Sequence, residues 1–109
     1  MSRAVRITPQ ELNDRIEGDR PVVPLDVRRG SHERSDSRIV GAIRIHPDDV
    51  EDQIEEIPPR AEIITYCTCP NEDSSAQAAV FLNERGFRAA ALAGGFEAWE
   101  QGGFPTEPK

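Results

Sequence analysis

An α/β sandwich is expected from three features of the chain. Apolar, β-branched runs alternate with helix-like stretches from one end to the other, which implies a parallel sheet covered on both faces. The boundaries carry helix-start and helix-stop chemistry: Thr8-Pro9-Gln10-Glu11, serines at 74 and 75, and glycines at 18 and 86. The length, 109 residues, fits a single domain, 1–109, with its core at about 4–107. At this size folding buries roughly two-thirds of the unfolded chain's surface, enough for one modest core. Five apolar runs then give a central, mainly parallel five-stranded sheet with helices on both faces.

Ala4–Ile7 is the first expected strand, at an edge. Thr8 follows as an N-cap, Pro9 takes the first helical position and Glu11 closes a capping box. Leu12 and Ile16 share one face of this helix, and Gly18 ends it. Pro21–Leu25 reads as a buried strand in which Pro24, lacking an N–H, marks an irregular or partly edge location. Residues 29–38 are polar and aperiodic, hence loop, while 38–45 return to strand character around Gly41-Ala42. His46-Pro47-Asp48 opens a helix expected over 48–57, with Val50, Ile54 and Ile57 at helical spacing. Its six acids read as a solvated face. After Pro58-Pro59, Glu62–Cys67 is the strongest strand and 74–85 the strongest helix, with Ala78, Ala79 and Leu82 as packing stripe. Phe87–Leu92 is the last expected strand. Gly94-Gly95 turns, Phe96–Gln101 is a short helix whose Phe96 and Trp99 pack against the sheet edge, and the tail from Gly102 is loop.

Charge narrows the function. Twenty acids against thirteen bases give a net charge of −7, which disfavours nucleic acid and anionic membrane surfaces alike. No apolar run approaches the ~20 residues of a membrane span, and the N-terminus lacks a signal-peptide stretch, so the expected location is the cytoplasm. All basic residues but Lys109 are arginines, suited to bidentate pairing with carboxylates. The two cysteines, Cys67 and Cys69, are one residue apart and cannot staple a fold. That leaves reactivity, metal binding or packing.

The chemistry-bearing segment is the strand–loop–helix junction from Tyr66 to Ser75. Ligands of open α/β sheets bind beyond the carboxyl ends of strands, near helix N-termini. There the loop's inward N–H groups and the helix dipole favour an anion. A cysteine at the base of such a loop has its thiolate stabilised, with its pKa moved from ~8.5 towards neutrality. The same cradle would hold a persulfide or a developing oxyanion.

At this point the chain resembles the rhodanese-like family of single-domain, sulfurtransferase-like proteins. The resemblance rests on Leu25-Asp26-Val27-Arg28, on Arg38-Ile39-Val40-Gly41-Ala42-Ile43, and on the strand–cysteine–loop–helix unit. It continues through Glu84-Arg85-Gly86-Phe87, the run Leu92-Ala93-Gly94-Gly95-Phe96-Glu97-Ala98-Trp99, and Gly103-Phe104-Pro105. These pieces span nearly all of 4–107 in the family's order. The resemblance implies a parallel sheet, a cysteine that carries a persulfide, and an anion-binding loop of Pro70, Asn71, Glu72, Asp73, Ser74 and Ser75 that works through its backbone amides. It implies a small sulfur donor, a thiol or protein acceptor, and no cofactor.

Two departures follow. Family cysteines stand about five loop residues before the helix-opening serine, which selects Cys69 counted from Ser75; Cys67 follows an aromatic as family cysteines often do, but with a loop two residues longer. Cys69 is therefore the expected nucleophile and Cys67 the alternative. Pro70 removes one N–H from the cradle. The second departure is charge: active thiosulfate-using members tend to be basic here, whereas this loop holds Glu72 and Asp73. Each solvated acid opposes a thiolate or an incoming dianion by about 1 kcal/mol or less, which favours a persulfide delivered by another protein. Asp26 and Arg28 are candidate supporting residues. Arg28, Arg34 and Arg38 could lend positive charge, although the simpler reading pairs Arg28 with an acid under the sheet.

Four other readings compete. One is a rhodanese-like binding or regulatory module without catalysis. Another is thiol–disulfide exchange across Cys67-Thr68-Cys69, which would close a strained ring. A third is a metal site, for which Cys-x-Cys supplies only two of four ligands and His32 and His46 are not forced near. The last is phosphatase-like or arsenate-reductase-like chemistry, which needs an arginine in the loop to clamp the oxyanion, and none stands between Cys69 and Ser75.

Overall fold

The computed structural model describes residues 5–28, 37–68 and 73–108. Its main sheet contains β1 (Arg6–Ile7), β2 (Val22–Asp26), β4 (Ile43–Arg44), β5 (Glu62–Tyr66) and β6 (Arg88–Leu92). They lie in the spatial order β1-β6-β5-β2-β4, and every neighbouring pair is parallel. Each of the five expected runs supplies one of these strands. The strongest of them, β5, occupies the centre.

Between β1 and β2 runs α1 (Pro9–Glu17), whose start follows the local chemistry closely. The Thr8 hydroxyl accepts from the Glu11 N–H at 3.1 Å, and the Glu11 carboxylate accepts from the Thr8 N–H at 2.9 Å. Gly18 forms the C-cap. Pro24 is buried inside β2, and its missing donor is placed where it costs little. Val27 N–H bonds the Tyr66 carbonyl of β5, whereas the Asp26 carbonyl receives Ile45 N–H on the β4 side. The alternation turns the Pro24 nitrogen towards β4, which pairs only with Leu25 and Asp26. At Pro24 the strand is an edge on that side.

Alternation along β5 also divides the core in two. Ile63 and Cys67 point into a cluster with Leu25, Val27, Ala78, Ala79 and Leu82, so α2 (Asp73–Glu84) covers this face with its small-residue stripe. Ile64 and Tyr66 point the other way, into a cluster with Leu12, Ile39, Leu92, Phe96 and Trp99. This second face is covered by α1 and by α3 (Gly95–Gln101). Phe96 and Trp99 pack as expected, although deep on the face rather than at its edge.

Three expectations are corrected. The run 38–45 is not one strand. Ser37–Ile39 forms β3, a turn with Gly41 at φ 78° reverses the chain, and Ile43–Arg44 forms β4 in the other sheet. The tail is not all loop: Thr106–Pro108 forms β7, antiparallel to β3. Nor is 48–57 an α-helix; it holds two 3-10 turns, Pro47–Asp49 and Ile54–Glu56. Helical geometry would stack Asp48 over Asp52 and Glu51 over Glu55, like charges four apart with no base in the run to offset them. Burial of Val50 and Ile57 anchors the segment without a continuous helix.

Candidate active site

Cys67 is the first residue beyond the carboxyl end of the central strand, and its side chain is 1% exposed. Its carbonyl is held by the start of α3 (Gly95–Gln101). The Cys67 carbonyl accepts the Phe96 N–H at 3.1 Å. Gly95, at φ 64°, packs so tightly on that carbonyl that a side-chain carbon there would overlap it. The motif Gly94-Gly95 is thus more than a turn, because it lets α3 begin directly against the cysteine's peptide.

The sulfur faces α2. Cys67 Sγ lies 3.5 Å from Ser75 Oγ, and Ser75 is fully buried. Two residues earlier on the same face of β5, the Thr65 hydroxyl donates to the Ser75 carbonyl at 2.7 Å. One residue in the first turn of α2 is therefore held at two points by the strand that leads into the junction. Ser74 is buried beside it. Cys69, Pro70, Asn71 and Glu72 lie outside the described residues, and of Asp73 the structure gives the backbone, the first position of α2.

Asp26 and Arg28 come together on the opposite face. Arg28 Nε lies 3.0 Å from both carboxylate oxygens of Asp26, Nη2 donates to Oδ2 at 2.7 Å, and the Arg28 backbone N–H donates to Oδ1 at 2.9 Å. Both side chains are almost fully buried. The guanidinium lies over the Phe96 ring, 4.4 Å from its centre, and Nη2 also donates to the Ser37 carbonyl. Arg28 is thus neutralised within the fold, the simpler of the two sequence readings. Burial pushes the Tyr66 phenol well above the ordinary tyrosine range, and the neighbouring Asp26 charge adds to this. The phenol stays protonated, and its oxygen accepts Ile39 N–H at 3.2 Å. Arg38 pairs with Glu107 at 3.1 Å, while Arg34 and His32 lie outside the described residues. His46 Nδ1 accepts Asp48 N–H and caps a 3-10 turn. Among the described residues no three His, Cys, Asp or Glu side chains gather as a metal site.

Sequence reasoning missed Thr65 and Gly95. The available signal for Thr65 was a lone hydroxyl in the run Ile63-Ile64-Thr65-Tyr66, where a buried polar atom must find a partner. Gly95 stood out as part of a turn and of the Gly94-Gly95 to Trp99 run that carries the family resemblance, with nothing to show its contact with the cysteine.

A central parallel strand that leads into a cysteine and then a helix of small residues defines an α/β class with its junction at the carboxyl edge of the sheet, and comparison makes it specific. The profile of the Rhodanese-like domain matches residues 8–102, and the chain belongs to that family. It is 28% identical over 103 residues to the Bacillus subtilis protein named "Putative sulfurtransferase YtwF", covering 94% of each chain. Among solved structures it is similar to a rhodanese-like domain protein from Staphylococcus aureus, with a TM-score of 0.77, 26% identity and coverage of 96% of this chain and 98% of that one. A rhodanese-related protein from Thermoplasma volcanium shares the fold, with a TM-score of 0.81 at 23% identity and coverage of 96% and 99%. No helix among the described residues is long and apolar enough to cross a membrane.

Proposed function

We propose that this domain is a sulfurtransferase that moves sulfane sulfur through a cysteine persulfide, with Cys69 as nucleophile and Cys67 as the alternative. The observation that carries this reading is the placement of the cysteine segment. It leaves the carboxyl end of the central strand and enters α2, with the Cys67 sulfur 3.5 Å from the Ser75 hydroxyl in the helix's first turn. The N-terminal end of that helix favours an anionic sulfur. In the reaction the cysteine thiolate attacks the outer sulfur of the donor. The donor's S–S bond breaks, its electron pair leaves with sulfite or with a thiolate, and the enzyme retains Cys–S–S⁻. An acceptor thiolate or cyanide then attacks the outer sulfur and releases the cysteine thiolate. No external oxidant or reductant is consumed.

The donor class follows from charge. Arg28 is neutralised by Asp26 and Arg38 by Glu107, so neither offsets Glu72 and Asp73 of the loop. We assign a persulfide carried by a protein or a small thiol as the preferred donor, with thiosulfate a weak one. The same observation favours, as second reading, a binding module with little or no catalysis.

Incubation with a persulfide donor, followed by intact mass and peptide mapping, tests the proposal. The expected result is the gain of one sulfur atom on Cys69, lost in Cys69→Ser and retained in Cys67→Ser. A dead Cys67→Ser with an active Cys69→Ser assigns the nucleophile to Cys67, and no adduct on either cysteine leaves the binding module. Changing Glu72 to Gln and Asp73 to Asn together should lower KM for thiosulfate roughly three- to tenfold with kcat unchanged, each solvated acid costing about 1 kcal/mol or less. Fast thiosulfate turnover by the unchanged protein would overturn the donor assignment.

A further inference from the structure

Two side chains on one face of β5, Thr65 and Cys67, reach the same residue of α2. The Thr65 hydroxyl donates to the Ser75 carbonyl at 2.7 Å, and the Ser75 hydroxyl lies 3.5 Å from the Cys67 sulfur. Thr65 and Ser75 are fully buried and Cys67 is 1% exposed. A carbonyl in the first turn of a helix already receives an N–H from the residue four positions later, so a second, side-chain donor is not needed to satisfy it. What the second bond does is fix where that residue sits relative to the strand. The Thr65 hydroxyl also comes within 3.4 Å of the Ala90 carbonyl of β6, which restricts its rotation. The serine side chain that reaches the sulfur hangs from a backbone pinned in this way.

We infer that Thr65 is a positioning residue: by holding the Ser75 backbone it aims the Ser75 hydroxyl at the Cys67 sulfur and so sets the reactivity of that thiol. The hydroxyl accepts from the neutral S–H and donates to the thiolate. Donation to the charged form is the stronger of the two interactions and favours ionisation. The cluster that Cys67 shares on this face is apolar, with Leu25, Val27, Ala78 and Ala79, and the Asp26–Arg28 pair lies on the opposite face. The bearing of this device on sulfur transfer rests on the function proposed above; the hydrogen-bond coupling itself does not.

A pH profile of alkylation by iodoacetamide in the Cys69→Ser chain, where Cys67 is the sole thiol, tests the inference. Thr65→Val keeps the branched shape and removes the donor, Thr65→Ser keeps the donor, and Ser75→Ala removes the aimed hydroxyl. Alkylation below the pKa should slow roughly three- to tenfold in both Thr65→Val and Ser75→Ala, a rise of about half a unit to one unit in apparent pKa. Thr65→Ser should recover the parent profile, and the double variant should be no slower than Ser75→Ala alone, since both changes act through one hydroxyl. If the valine variant does not fold, Thr65→Ala takes its place. A folded Thr65 variant with the parent profile, an unaltered profile in Ser75→Ala, or additive slowing in the double variant overturns the inference. Sulfur transfer assayed separately in the chain that retains Cys69 distinguishes the two readings: loss of transfer with the coupling intact removes only the proposed function.

Discussion

Asp26 and Arg28 show how much can depend on one pair of side chains. Both are buried, the contact uses both carboxylate oxygens, and the guanidinium is sandwiched against Phe96. Taking two charges out of water is expensive, so such a pair adds little net stability, yet removing one member strands the other. Asp26→Asn preserves shape and should cost about 3–5 kcal/mol, a large share of the 5–15 kcal/mol typical of a whole domain. Replacing both residues by Leu and Met should recover most of that loss, and urea unfolding of the single and double variants measures the difference. The pair holds the Arg28 guanidinium inside the fold, against Asp26 and the Phe96 ring. Asp26 and Arg28 are two apart at the end of a strand, so they share a face, and that face is the one away from the Cys67 sulfur.

At the scale of elements, α3 is the part of the fold most closely fitted to the cysteine. Its first residue, Gly95, takes a positive φ and leaves no room for a side chain over the Cys67 carbonyl, while Phe96 donates to that carbonyl. Gly95→Ala should therefore destabilise the protein by about 1–3 kcal/mol and weaken the proposed sulfur transfer together, through strain at the glycine and displacement of the cysteine's peptide. Circular dichroism melts and the persulfide assay on the same preparation check both, and an alanine variant with parent stability would contradict the close fit. Which elements could be read in advance follows from how local their causes are. The capping box at Thr8, the run Glu62–Cys67 and the helix of small residues are specified by near neighbours, and they appear where expected. The tail strand β7 could not be read this way, because Thr106–Pro108 is a strand only through its partner β3, far back in the chain. The 48–57 segment failed for the opposite reason: its apolar spacing was helical, but repulsion among its acids outweighed the pattern. At the site, the junction was legible from residue types and spacing, whereas the double hold on Ser75 depends on side-chain directions that only the folded strand defines.

Across the whole molecule, the C-terminal segment closes the face that α3 covers. Phe104 stacks near Trp99 with ring centres 4.9 Å apart, the Trp99 indole N–H donates to the Pro105 carbonyl at 2.8 Å, and Glu107 receives both Arg38 and the Gly41 N–H. Removing residues 104–109 should cost about 2–4 kcal/mol, from lost burial of Phe104 and an indole N–H left without its acceptor. Trp99 emission should shift to longer wavelength, and an unchanged spectrum and melting point would show that the segment is an appendage. The strand order also has a consequence in time. β5, α2 and β6 are consecutive in the chain and neighbours in space, so this central unit can assemble from short-range encounters. The β1–β6 and β3–β7 seams wait for distant partners, with Arg6 joining Ala91 and Ser37 joining Pro108. Long-range pairing is slow because chain freedom is lost before contacts compensate for it. Chain topology therefore favours assembly from the middle outwards, with the strand that leads to the cysteines among the first parts to find its place and the β3–β7 seam among the last.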